Sequence, residues 1–448
     1  MRTPVRLVFL LLIGAVSGCG AQEVLIDVFT PAEFDLIKRL GPLTDPPADP
    51  TNRYADNAAA AAFGQRLFFE KSYSQAIVVG DDGSNGGLGA VGEQGKVSCA
   101  SCHDPTHWYT DTRSKPGAVS LGVNYTERNS PPLVNAAYYA WNGWSGKQDP
   151  LWMQGAQGSE SKVNFNSNRL IYVHVVFAKY RADYDALFPV PLDAALDPNA
   201  VDAARFPPSG RPKSSATAAD GPWEMMASAD RAIVNTIIVN CGKAIAAYER
   251  KLVSKNAPID RYIGGDYGAL NEQAKRGLKL FIGKAGCNAC HDGTQLSDND
   301  FHNTAVDQSL GAHAPATDEG RAPDLANLLA SSFNGAGSYS DDPTTGAMKL
   351  ANMMGGQEAD RGRFRTKGLR NVAETGPYMH NGGLATLEDV VHFYNLGGHA
   401  SGFAGTKDVL MVPLNLTDSE EADLVSFLKQ GLTGEHPPAS LAMDTSAP

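Results

Sequence analysis

The chain has 448 residues, 42% of them hydrophobic and 19% charged, the make-up of an ordinary soluble globular protein long enough for two or three domains. Its formal charge of −11 argues against nucleic acid as a partner and suits a basic protein partner.

Residues 1–18 read as a signal peptide. Arg2 and Arg6 precede an apolar run from Leu7 to Val16, too short to span a bilayer as a mature helix. Val16-Ser17-Gly18-Cys19 then resembles a bacterial lipobox, which makes Cys19 the lipidated first residue of the mature chain. A plain secretory signal cut nearby is the alternative. Residue 21 is Ala, not the Asp that resembles an inner-membrane retention signal. The expected address is therefore the periplasm, on an outer-membrane lipid anchor and with no other membrane contact. Pro31, Pro42, Pro46, Pro47 and Pro50 make residues 19–55 read as a tether from the lipid to the first domain.

Cys99-Ala-Ser-Cys102-His103 has the spacing of a c-type haem attachment site: two thiols that add across haem vinyl groups, and a histidine beside them for the iron. Cys287-Asn-Ala-Cys290-His291 repeats it. Zinc could use the same residue types, but needs further Cys or His near each motif. The six cysteines divide into one lipobox, four thioethers and Cys241, leaving no disulfide for the mature chain. Ile233, Ile237, Cys241, Ile245, Tyr248 and Leu252 fall at helical spacing, so Cys241 reads as a core residue of a helix over 230–252.

An internal repeat accompanies the motifs. Gly64-Gln65-Arg66-Leu67-Phe68 matches Gly277-Leu278-Lys279-Leu280-Phe281, and each precedes one attachment site. A Gly-rich surface loop, Gly80 to Gly95, lengthens the first copy, and Pro189 to Pro222 reads as another loop. Thr417-Asp418-Ser419-Glu420 is a capping box opening a last amphipathic helix through Leu428. Strand signals are sparse. The expected fold is mainly α, with two cytochrome c-like haem domains and long loops: residues 56–252, residues 253–434, and a tail over 435–448.

Around the two motifs, from about Phe63 to Gly434, the sequence resembles the bacterial dihaem cytochrome c peroxidase and MauG superfamily. The likeness is carried by Arg128-Asn129-Ser130-Pro131, by Gly242-Lys243-Ala244-Ile245-Ala246-Ala247-Tyr248-Glu249-Arg250, and by Phe364-Arg365-Thr366 through Leu369-Arg370-Asn371-Val372 to Pro377-Tyr378-Met379-His380. The resemblance implies that the N-terminal haem meets hydrogen peroxide, that the C-terminal haem relays electrons, and that a calcium ion lies between the domains. The electron donor implied is a small cytochrome c or a copper protein of the cupredoxin kind. Chemistry agrees with two haems, because reducing a peroxide takes two electrons, and one iron must keep an axial position free while the relay iron gains from two protein ligands.

Residue roles carry over by position. The distal ligand of the second haem falls on Tyr394, 14 residues beyond His380, where ordinary peroxidases of the family have Met and the MauG branch has Tyr. Met379 is a rival ligand. The loop that places an inhibitory His over the first haem reads Val119 to Tyr125 here, without a His, and His107 is too close to His103 to reach the other haem face. Trp144 matches the bridging tryptophan between the haems, and Gln154 a distal-pocket glutamine. The family's catalytic glutamate position holds Asn164, whose amide cannot shuttle a proton, so Glu160 nearby is the candidate substitute. Calcium carries over onto the side chain of Asn129 and the carbonyls of Thr375 and Pro377. Beside peroxide reduction, two readings stay open: a MauG-like oxidase that modifies a protein side chain, and a non-catalytic dihaem electron carrier.

Overall fold

The structure, a computed structural model, describes residues 25–446. Its regular elements are almost all helices: α1 (Pro31–Lys38), α2 (Ala58–Phe69), α3 (Leu151–Gly158), α4 (Arg169–Leu187), α5 (Pro222–Met225), α6 (Ser228–Glu249), α7 (Pro258–Ile263), α8 (Glu272–Ile282), α9 (Arg321–Ala330), α10 (Pro343–Leu350), α11 (Leu387–Asn395) and α12 (Asp418–Gly431). The two short strands β1 (Phe301–His302) and β2 (Phe364–Arg365) pair antiparallel, with Phe301 opposite Arg365. The chain is thus mainly α. No helix among the described residues is long and apolar enough to cross a membrane. The signal peptide and Cys19 lie outside the described residues.

The sequence repeat is a packing repeat. Asn57 caps α2 by accepting from the Ala60 N–H at 3.0 Å, and Asn271 caps α8 by accepting from Ala274 at 2.8 Å. One turn on, Gly64 lets α2 lie directly on α6, since a Cβ there would sit 1.9 Å from the Ala244 carbonyl oxygen. Gly277 does the same for α8 on α12, 2.0 Å from the Asp423 carbonyl oxygen. Each pair nucleates one lobe. The first lobe packs Phe63, Leu67, Val176, Ile237, Cys241 and Ile245, with Cys241 wholly buried as expected. The second packs Leu278, Phe281, Val391, Leu424 and Phe427. The capping box at Thr417 forms as expected: Thr417 N–H donates to Glu420 Oε2 at 2.8 Å, and Glu420 N–H donates back to Thr417 Oγ1 at 3.3 Å.

The segment ahead of the first lobe departs from expectation. From Ile26 onward the segment expected as a tether is folded: Phe29, Phe34, Ile37 and Leu40 are buried in the core of the second lobe. Burying side chains of that size is worth about 1.5–3 kcal/mol each, which outweighs the Pro-rich composition. The tail, conversely, crosses to the first lobe. The hydroxyls of Tyr109 and Tyr248 donate to the Leu441 carbonyl at 2.9 and 2.6 Å, and Gln65 Nε2 donates to those of Ser440 and Met443 at 2.8 and 3.0 Å. Between the lobes Arg128 forks onto Asp318 at 2.7 and 2.8 Å and reaches Asp324 at 2.9 Å.

Candidate active site

The two attachment motifs fold alike. Each forms a single 3₁₀ turn, Cys99–Ser101 and Cys287–Ala289, which sets the histidine N–H on the first cysteine's carbonyl, at 3.0 Å for His103 and 2.8 Å for His291. Each imidazole then donates from Nδ1 to a carbonyl downstream, His103 to Tyr109 at 3.2 Å and His291 to Leu296 at 2.9 Å. Tyr109 and Leu296 are both left-handed, with φ of 54° and 50°, a backbone cost that gathers at functional sites. A carbonyl can only accept, so Nδ1 carries the proton and Nε2 is left as the ligand atom. Burial moves both imidazoles below the ordinary histidine range, toward the neutral form that binds metal. Two thiols and one free Nε2, presented twice, fit two covalent haems.

The second motif opens on a cavity of about 280 Å³ walled by Cys287, Cys290, His291, Trp144, Met379 and Tyr394, among others. Tyr394 comes from α11, and burial raises its phenol well above the ordinary range. Met411 also lines this cavity. Cys290, Asp298 and His302 lie close enough together to hold a metal ion. Cys290, however, belongs to the attachment motif, and His302 is already spanned by Asp298 at 3.0 Å and Asp408 at 2.7 Å.

At the first motif the loop over 119–125 lies against Cys102. Arg113 Nη2 donates to Cys102 Sγ at 3.3 Å and to the Leu121 carbonyl at 2.7 Å. Val119, Ser120, Leu121 and Val123 are buried, and His107 is exposed on its turn. His313, distant in sequence, reaches this loop: its ring stacks on Tyr125 with centroids 3.6 Å apart, and its Nε2 bonds Asp82 at 2.8 Å. The Asn164 carbonyl accepts from Val123 N–H at 3.2 Å, so position 164 does border the loop. Gln154 is half-buried on α3. Glu160 is engaged elsewhere: its two carboxylate oxygens accept from Arg169 at 2.6 and 2.9 Å. A further carboxyl sits near Cys99, that of Glu249 at the end of α6, which burial pushes up to about 8 and whose Oε2 has no hydrogen-bond partner.

Trp144 stands by the second cavity, its Nε1 donating to the Asn129 carbonyl at 2.7 Å. The ammonium of Lys367 lies 4.5 Å from the centre of the Trp144 ring. Asn129, Thr375 and Pro377 line one stretch of cavity wall, with Asn129 Nδ2 3.0 Å from the Pro377 carbonyl.

A sequence profile of the family described as "Di-haem cytochrome c peroxidase" matches residues 58–268. "Cytochrome-c peroxidase IdrP1" of Denitromonas iodatirespirans is 33% identical over 87% of this chain and 85% of its own. The chain belongs to the di-haem cytochrome c peroxidase family. It is therefore an enzyme, an oxidoreductase. "Methylamine utilization protein MauG" of Methylorubrum extorquens is 28% identical over 82% of this chain and 76% of its own. In fold the chain is similar to the diheme peroxidase BthA from Burkholderia thailandensis, with a TM-score of 0.58 at 21% identity, covering 90% of this chain and 94% of that one. Lys367, Met411, His313 and Arg169 are the neighbours of this family's site that sequence reading missed. Only Arg169, nine residues from Glu160, left a local signal.

Proposed function

We propose that this enzyme reduces hydrogen peroxide to water with electrons from a small periplasmic redox protein. Each peroxide takes two electrons and two protons and yields two waters. The observation that carries the reading is the doubled attachment site with Trp144 beside the second cavity. Haem bound at the two motifs would supply one iron for O–O cleavage and one to store and relay an electron. The chain's own part would be to hold each proximal imidazole by Nδ1 and to place Tyr394 in the wall of the cavity that His291 lines. Asn129 and the carbonyls of Thr375 and Pro377 would hold calcium, for an amide flip puts Asn129 Oδ1 beside the Pro377 oxygen, an oxygen-only set that suits a hard cation.

Leu396, Val409, Leu410 and Val412 are exposed, and Leu410 and Val412 also line the second cavity. This apolar rim, continuous with the haem cavity, is the docking surface for the donor, and the lipid at Cys19 would hold the enzyme in the periplasm. Peroxide-dependent oxidation of a reduced small cytochrome c tests the whole reading. Turnover should be seen, should fall after calcium is chelated with EGTA, and in Val409→Glu should show a donor KM raised roughly tenfold at unchanged rate with a small-molecule reductant. No turnover with any donor would sink the peroxidase reading. The MauG-like reading, oxidation of a protein side chain, rests on Tyr394; it would be upheld by covalent change in a partner protein without donor turnover. Family membership sets the carrier reading aside.

Glu160 we assign to holding Arg169 rather than to moving the peroxide proton, because neither carboxylate oxygen is free while the pair stands. Glu160→Gln should then cost about 1–3 kcal/mol of stability and slow the peroxide step less than about tenfold. A general acid–base group would cost about 10²–10⁴-fold. A loss in that range at unchanged stability, read by stopped flow and thermal unfolding, would return the role to Glu160.

A further inference from the structure

Most cations buried among the described residues come with counter-charges. Arg128 has Asp318 and Asp324, Lys243 has Asp341, and Arg370 has Asp260. Lys349 has no ion pair but is held by the carbonyls of Ala140 and Asp149. Two cations on the wall of the second cavity have, among the described residues, neither a carboxylate nor more than one long carbonyl contact. Arg365 is 3% exposed, yet its Nη1 reaches only the carbonyl of the next residue, at 3.3 Å, and its Nε has no partner. Its guanidinium carbon lies 3.8 Å from the centre of the Tyr139 ring. Lys367, two residues on, has the Trp144 ring under its ammonium and one long hydrogen bond, 3.5 Å to the Gly143 carbonyl. No carboxylate acts on either among the described residues, and the Arg365 charge weighs on Lys367.

Taking an ion out of water costs several kcal/mol unless an opposite charge repays it. Two neighbouring cations on one cavity wall therefore call for negative charge on whatever fills the cavity. A haem attached at Cys287 and Cys290 brings two propionate carboxylates. We propose that Arg365 and Lys367 are the subsite for those propionates. The assignment rests on the second cavity being a haem site, as proposed above. Both residue types suit carboxylates, since a guanidinium offers them a fork and an ammonium a point charge. Tyr139 adds a third donor, because its hydroxyl accepts from Gly368 N–H at 3.2 Å and keeps its own proton to give. The pairing also matters to Trp144. A bare ammonium over an indole disfavours removing an electron from the ring, and a carboxylate on that ammonium relieves the effect.

The test compares Lys367→Met and Arg365→Met with the charge-keeping Lys367→Arg and Arg365→Lys. Pyridine haemochrome counts haem first: fewer than two per chain in the unaltered enzyme would overturn the haem assignment itself. With two present, spectroelectrochemistry across the neutral pH range speaks to the subsite alone. Each Met variant should keep both haems, since thioethers hold them, and should show a lower second-haem potential, because a lost positive charge favours oxidised iron. That potential should also become more pH-dependent as the released carboxylates titrate, while the charge-keeping variants stay near the unaltered enzyme. An unchanged second-haem potential and pH profile in Lys367→Met would overturn the proposal, as would an equal shift in Lys367→Arg or a shift confined to the first haem. Lys367→Met decides by itself if Arg365→Met does not fold.

Discussion

Tyr394→Met is expected to raise the midpoint potential of the second haem by a sizeable part of the roughly 0.8 V that axial ligands span. Tyr394, on α11, lines the cavity that His291 also lines, so its phenolate would be the ligand offered to a haem bound there. An anionic oxygen favours the oxidised metal, and a neutral thioether favours the reduced one. Burial raises the free phenol far above the ordinary range, so its proton leaves only for a strong Lewis acid. The substitution should also shorten the life of the doubly oxidised enzyme formed by peroxide without donor, because the second site would no longer share the oxidising equivalent. Potentiometry and stopped-flow spectra on the two proteins measure both effects. An unchanged potential would make Tyr394 a wall residue and move the ligand to Met379 or Met411, which line the same cavity.

What the sequence made legible was chemistry that local spacing enforces. Two thiols and an imidazole must be adjacent in the chain to take one haem, and the capping box at Thr417 closes within four residues. The glycine repeat was visible, but its reason was not: Gly64 and Gly277 are set by helices 180 and 146 residues away, at Ala244 and Asp423. Residues 26–55 were misread because five prolines outweighed a capping box at Thr30 and Glu33, whose reciprocal hydrogen bonds of 2.8 and 3.2 Å open α1. Phe34 and Ile37, three apart on that helix, carried the same message. The tail's crossing to Tyr109 and Tyr248 left no trace, since it uses backbone carbonyls that any residue supplies. Lys367 could not be placed from its neighbours in sequence either, for its surroundings, Trp144 and Arg365, are set by where β2 and the following turn pass the second cavity.

Arg370→Met is expected to destabilise the second lobe by about 3–5 kcal/mol, the usual cost of leaving one member of a buried ion pair alone. The side chains of Arg370 and Asp260 are only 2% and 6% exposed, and they meet through two parallel bonds of 2.9 and 2.8 Å. Asp260 cannot turn to water, because its other duty is to accept from the Ala257 N–H at 3.0 Å and open α7. Arg370 also ties in two other segments, donating to the Leu40 carbonyl at 3.2 Å and to the Thr294 carbonyl at 2.5 Å. Thr294 lies in the turn that ends at Leu296, the acceptor for His291, so the loss should reach the second attachment site and loosen its imidazole. For a lobe of this size the destabilisation corresponds to roughly 10 °C in melting temperature, at about 2–4 °C per kcal/mol. Thermal unfolding followed at the haem absorption and by circular dichroism should show the second lobe melting first. The double variant Arg370→Met with Asp260→Asn should recover part of the loss, because it removes the stranded charge. A cost below about 1 kcal/mol, the range of exposed pairs, would mean that water reaches Asp260 and that Arg370 fixes nothing at His291.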